Sequence, residues 1–275
     1  MNRFRNSFEL AKSSWAVLKA DKELIALPIF SGLSTIIVAV AFFLPILATS
    51  EGGDGEMSFG PVGWVLTAIA YVALAYITIF FNAALVHAAD ERMRGGDPTL
   101  GSALRGAASR GMQILPWAVL SETVSMILRA IQERGGILGR IVAGIAGIAW
   151  SLVTFLVLPI LVIEGIGVKD AIKRSAEMFK RTWGEQVVTN AGIGIVGFVA
   201  ILAAIPLFMI GAAVGGATAF LCFAVGGVYI LGVIAITSAL SGIFQTALYH
   251  YAANGMPPDA FAGADLGGAF VARRR

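Results

Sequence analysis

Residues 24–48 read LIALPIFSGLSTIIVAVAFFLPILA, twenty-five consecutive positions without a charged side chain. Roughly 20 apolar residues in a helix cross the hydrocarbon core of a bilayer. Pro28 and Pro45 lie only near the two ends, so this stretch predicts a membrane span. Working outward, the same arithmetic predicts spans at 62–89, interrupted by Asn82 and His87, and at 137–163, with Arg140 at its edge. Two more follow at 187–213, which has no charge, and at 217–251, which exceeds what one crossing requires. Residues 112–131 have the length too, but Glu122 sits mid-run and Arg129 near the end.

Composition agrees. The 275 residues are 57% hydrophobic and 13% charged, with mean hydropathy +0.83, whereas soluble domains run about 45–50% apolar and about 25% charged. That excludes a soluble enzyme, a disordered chain, a collagen and a disulfide scaffold. Cys222 is the single cysteine, so neither an intrachain disulfide nor a cysteine metal cluster can form.

Basic residues settle the count of spans. If 112–131 crosses, 17 of the 20 Lys and Arg fall on one side and Arg129, Arg134 and Arg140 on the other. The basic side is cytoplasmic. The expected fold is therefore all-α: an integral membrane bundle in the cell membrane, six spans, both termini cytoplasmic, and 252–275 as a cytoplasmic tail. The first apolar run follows 23 polar and charged-rich positions and is too long for a signal-peptide core, so it reads as a retained span.

Three segments between spans carry their own helical stripe. Over 3–20 the stripe is Phe4, Phe8, Ala11, Trp15 and Leu18. Over 167–184 it is Val168, Ile172, Ser175, Phe179 and Trp183, and over 98–111 it is Leu100, Leu104 and Ala107. Lysines and arginines fall off these stripes, the pattern of helices whose striped face either lies in a membrane interface or packs on the protein's own bundle, since both bury the same face. Phe8, Trp15, Phe179 and Trp183 are the expected interface anchors. Each such helix precedes a pair of spans, and Phe81-Asn82-x-Ala84-Leu85-x-His87-x-Ala89 recurs as Phe244-Gln245-x-Ala247-Leu248-x-His250-x-Ala252. The expectation is three parallel hairpin units, each led by a cytoplasmic amphipathic helix, and not an inverted-repeat transporter plan.

The opening Phe4-Arg5-Asn6-Ser7-Phe8 through Trp15, with Lys22-Glu23-Leu24 and Leu27-Pro28, resembles an uncharacterised family of prokaryotic six-span membrane proteins with an amphipathic N-terminal helix. The resemblance implies the topology and supplies no catalytic residue, ligand or activity.

Chemistry-bearing patterns are few. Gly192-Ile193-Gly194-Ile195-Val196-Gly197 has dinucleotide-site spacing, but it lies inside an apolar run with Ala212 where an acid is needed. Gly139, Ala143, Gly147 and Ser151 place a small residue at every fourth position, a seam for close helix packing. Glu122 lies on the face of Arg129, with Arg140 on the next span. It is either a buried ion pair or part of a polar path with Asn82, His87, Gln245 and His250. No hydrolase elbow, Walker loop or zinc-protease motif is present. No enzyme activity, cofactor, metal or nucleic acid is expected. The expected partner is the lipid bilayer with its anionic lipids; oligomeric state and any protein partner stay open. Function is expected to be organising or sensing the cytoplasmic leaflet, with small-solute or ion transport along the Glu122–Arg129 path as the alternative.

Overall fold

The computed structural model describes residues 3–53, 56–183, 197–198 and 200–267. Helices α1 (Arg3–Ala20) and α2 (Glu23–Ala48) lead into a small hairpin, β1 (Ser50–Gly53) with β2 (Glu56–Phe59). Then follow α3 (Pro61–Met93), α4 (Leu100–Ser109), α5 (Gly111–Arg134), α6 (Gly136–Thr154), α7 (Val157–Ile163) and α8 (Val168–Trp183). After these come α9 (Ile205–Val214), α10 (Gly216–Asn254) and a 3-10 turn at Asp259–Phe261. Among the described residues five elements are long and apolar enough to cross a membrane: α2, α3, α5, α6 with α7 (Gly136–Ile163), and α10. Of the expected span 187–213, residues 187–196 and 199 lie outside the described residues.

The small hairpin is a local exception within an all-helical fold. Its strands pair antiparallel from Ser50↔Phe59 to Gly53↔Glu56, joined by Asp54-Gly55, a dipeptide that favours two-residue hairpin turns. The expected span 137–163 is also not one helix. It breaks at Phe155–Leu156 because Pro159 has no N–H to give the Phe155 carbonyl, and its ring crowds that carbonyl. The freed Leu156 N–H donates instead to the buried Ser175 Oγ of α8 at 3.1 Å. Helix α10, by contrast, runs unbroken for 39 residues and stops at Gly255 in the left-handed region, φ 75°.

The chain forms two units. The central one comprises Ile29–His87 and Thr99–Phe179. Its buried positions gather at Ala83–Val86 on α3, Ala103, Gly106 and Ala107 on α4, Ile114, Trp117 and Ala118 on α5, and nearly all of α7. Helix α4 begins with a reciprocal cap between Thr99 and Ser102, which satisfies orphan backbone donors and a side chain at once. Helices α5 and α6 pack on each other. There Gly139, the first residue of the expected seam, meets the Ile131 carbonyl so closely that a Cβ would collide with it; Gly139 and Ala143 are both buried. Elsewhere the apolar surface is bare: Ile29 to Leu44 on α2, Val62 to Ile69 on α3, and Ile137 to Ile148 on α6 carry large exposed side chains. Patches of that extent are foreign to the water-facing surface of a soluble protein.

The terminal unit comprises Met1–Pro28, Ala88–Pro98 and Lys180–Arg275. Helix α1 packs on α10 and on the 3-10 turn. The buried face of α1 is Leu10, Ser14, Val17 and Leu18, rotated from the expected stripe, so that Trp15 is 39% exposed. On α10 burial is dense at Ile243, Thr246, Ala247, Leu248 and Tyr249, while Phe220, Leu221, Val225 and Val228 are exposed. Residues 252–267 are not a loose tail. Phe261 is fully buried and Leu266 nearly so, and the Trp183 indole N–H donates to the Leu266 carbonyl at 3.2 Å.

Candidate functional site: a charged cluster at the end of the third helix

The last turn of α3 runs Asp90-Glu91-Arg92-Met93, and Arg94 follows at once. Charges at the end of a largely apolar helix of 33 residues need partners, and the terminal unit provides them from distant sequence. Arg92 donates from Nε and Nη2 to the two oxygens of Asp21, the latter at 2.6 Å, and from Nη1 to the Gly96 carbonyl at 3.2 Å. Asp21 is buried in the turn between α1 and α2. A two-pronged guanidinium–carboxylate pair is the strongest arrangement available to these groups, and it locks the α1–α2 corner onto the end of α3.

Asp90 holds a second arrangement. Its Oδ1 lies 2.8 Å from His250 Nε2 on α10 and accepts from Arg94 Nε at 3.0 Å. The side chains of Asp90 and His250 are 12% and 13% exposed, that of Arg94 60%. The carboxylate has no proton to give, so Nε2 is the protonated nitrogen. Asp90 thereby fixes the tautomer and orientation of the ring. The Tyr249 ring meets the imidazole edge-on at 5.5 Å. Beside the cluster opens a cavity of about 510 Å³, lined by Met93, Arg94, Tyr249, His250, Ala253, Asn254, Met256, Pro257 and Pro258. Among the described residues no three His, Cys, Asp or Glu converge as metal ligands do.

The other expected site residues are dispersed. His87 stands where the repeat pattern matches His250, yet its ring packs face-close on Gly106 of α4, where a Cβ would collide with it. Asn82 is half-buried on α3, and Gln245 is half-buried on α10. The expected pairing of Glu122 with Arg129 or Arg140 does not form. Glu122 is half-buried and makes no hydrogen bond or ion pair among the described residues, because both arginines are exposed and Arg129 donates to the Tyr71 hydroxyl at 2.8 Å. Of the expected interface anchors, Trp15 is exposed, but Phe179 and Trp183 are buried in protein at 7% and 3% exposure, out of reach of a bilayer. The side chain of Phe8 lies outside the described residues. The sequence had one usable signal for the cluster: Asp90 and His250 each interrupt the end of a very apolar run.

Residues 62–258 match the model of a family of unknown function, DUF6159. The chain belongs to that family. The match takes in Asp90, Arg92, Arg94 and His250, and leaves out Asp21 and the N-terminal residues 4–28 that suggested the resemblance. Its description assigns DUF6159 no activity. No curated protein and no solved structure matches the chain.

Proposed function

We propose that this is a multi-pass protein of the cell membrane, with six spans and cytoplasmic termini, which organises or senses the cytoplasmic leaflet and performs no catalysis. Five spans are the long apolar elements, and the sixth is residues 187–213. The observation that carries the reading lies on α1. Lys12, Trp15, Ala16 and Lys19 are all exposed and sit three and four residues apart, on one helical face. The opposite face, Leu10 to Leu18, is held by protein. An aromatic ring flanked by lysines suits the headgroup region of a bilayer, and each lysine adds about 1 kcal/mol toward anionic lipid. On α8 the aromatic residues point into protein while Lys169, Lys173 and Lys180 are exposed, so this helix meets lipid through charge and not through insertion.

The repeat belongs to the same proposal: three parallel units, each an amphipathic helix followed by a hairpin. Burial supports it. Residues 83–86 are buried with His87 half-buried, and 246–249 are buried with His250 half-buried, the same pattern at the spacing of the sequence match.

The test places a polarity-sensitive fluorophore at position 15 through Trp15→Cys in a Cys222→Ser background, in lipid nanodiscs. We expect quenching by lipids carrying a shallow spin label, stronger with phosphatidylglycerol present and weakened by Lys12→Gln with Lys19→Gln. A probe that no lipid quencher reaches would overturn the reading. One observation favours a second reading, solute or ion transport: the half-buried carboxyl of Glu122, without a partner among the described residues, in a helix of spanning length, since ionisable groups at that depth by default line a pathway.

A further inference from the structure

We propose that the cavity beside Asp90 and His250 binds a phosphate ester through Arg94, His250 and Asn254, a site that stands apart from the lipid contacts of α1 and α8. The two arginines at the end of α3 are used differently. Arg92 spends its donors on Asp21 and the Gly96 carbonyl. Arg94 gives only Nε to Asp90, and its two terminal nitrogens have no partner among the described residues. The same holds for Nδ1 of His250, whose other nitrogen is taken by Asp90. One carboxylate therefore steadies a guanidinium and an imidazole while leaving the guanidinium's terminal donors and the outer ring nitrogen of His250 unspent, the latter a donor in the imidazolium form. Both residues line the cavity, together with Asn254, whose amide adds two N–H groups.

Charge sets the sign of the ligand. Among the described residues, Arg94 and His250 are the only titratable ones lining the cavity apart from Tyr249, so no carboxylate among them repels an anion, and Asp90 behind them is already doubly engaged. Several donors from separate side chains suit phosphate, which offers several acceptor oxygens and a charge that forked guanidinium donors match. Size leaves room for far more than a bare ion. A cavity of about 510 Å³ falls in the range that holds whole small molecules, roughly 300–1,000 Å³. Met93, Met256, Pro257 and Pro258 give it an apolar side for the ester's carbon substituent. A lipid headgroup and a soluble phosphate ester share this chemistry.

The experiment uses the full chain in two arms. Glycerol 3-phosphate is titrated calorimetrically into detergent-solubilised protein. In parallel, nanodiscs of phosphatidylcholine carrying a trace of fluorescent phosphatidate report its proximity to the tryptophans by energy transfer. We expect saturable one-to-one binding in at least one arm, lost by about tenfold in Arg94→Gln and in His250→Gln, as expected for removing one charge-assisted hydrogen bond. Arg94→Lys, which keeps charge and loses the fork, should recover only part, and Arg134→Gln, at the exposed end of α5, should change nothing. Gln at 250 can still donate to Asp90, and Arg94 is largely exposed, so both variants should melt as wild type does. Binding in the soluble arm identifies a soluble ester, and binding in the lipid arm alone identifies a headgroup. Absence of binding in both arms, or binding indifferent to Arg94→Gln and His250→Gln, overturns the proposal.

Discussion

Two carboxylates in this chain meet opposite circumstances. Asp21 is 6% exposed and grips Arg92 with both oxygens; Glu122 is half-buried and grips nothing among the described residues. Asp21→Asn should lower stability by about 2–4 kcal/mol, because it leaves a guanidinium facing a neutral amide. Combining it with Arg92→Gln should restore part of that loss. Glu122→Gln should shift stability by less than about 1 kcal/mol, since no cation is left behind. Thermal unfolding in detergent, followed by tryptophan fluorescence, measures all three. A Glu122→Gln loss as large as that of Asp21→Asn would mean that a partner holds Glu122. Spacing in the sequence pointed to Glu122 with Arg129 because the two are seven apart on one helix. Two pairs that do form at the end of α3, Asp21 with Arg92 and Asp90 with His250, span 71 and 160 residues. Only the fold brings such groups together, so no local pattern announces them.

Helices were legible wherever apolar length decided them. The apolar runs at 24–48, 62–89 and 217–251 became α2, α3 and α10, and the doubtful run at 112–131 became the continuous α5. Proline was the ambiguous signal. Pro28, Pro45 and Pro116 sit inside unbroken helices, while Pro159 ends one. The difference is a substitute partner: Ser175 supplies an acceptor for Leu156, and the break becomes tolerable in a buried setting. Ser175→Ala should therefore cost about 1–3 kcal/mol, the penalty for stranding a buried N–H. Hydrogen exchange at Leu156 should quicken markedly in that variant. Unchanged protection at Leu156 would show that Ser175 does not hold the break. The faces of α1 and α8 were harder to read, because Ala171 and Met178 bury as well as the aromatic stripe does, and small residues carry little signal in a hydrophobic pattern.

For the molecule as a whole, the asymmetry of 17 basic residues against three predicts an orientation that labelling can check. In a Cys222→Ser background, a cysteine at Gly53 should react with a membrane-impermeant maleimide in intact cells. A cysteine at exposed Ala262 should react only after permeabilisation. Labelling of position 262 in intact cells would break the six-span arrangement. The folded stretch 257–267 and its anchor Phe261 were invisible to composition, since one aromatic among alanines and glycines resembles any polar tail.

The sequence order of the two units bears on how the protein is made. The central unit is finished once residue 179 has left the ribosome. The terminal unit, although it contains α1, is not, because α1 rests on α10 and on the turn that holds Phe261. At roughly 5–20 residues per second, α1 waits about 10–50 s after its own synthesis before that platform exists. Throughout this interval Leu10, Val17 and Leu18 have no protein to cover them. A nascent helix with lysines and a bare apolar face is drawn to the nearest lipid surface. The order of synthesis thus predicts a stage in which α1 lies on a lipid surface by the very side that the finished protein hides.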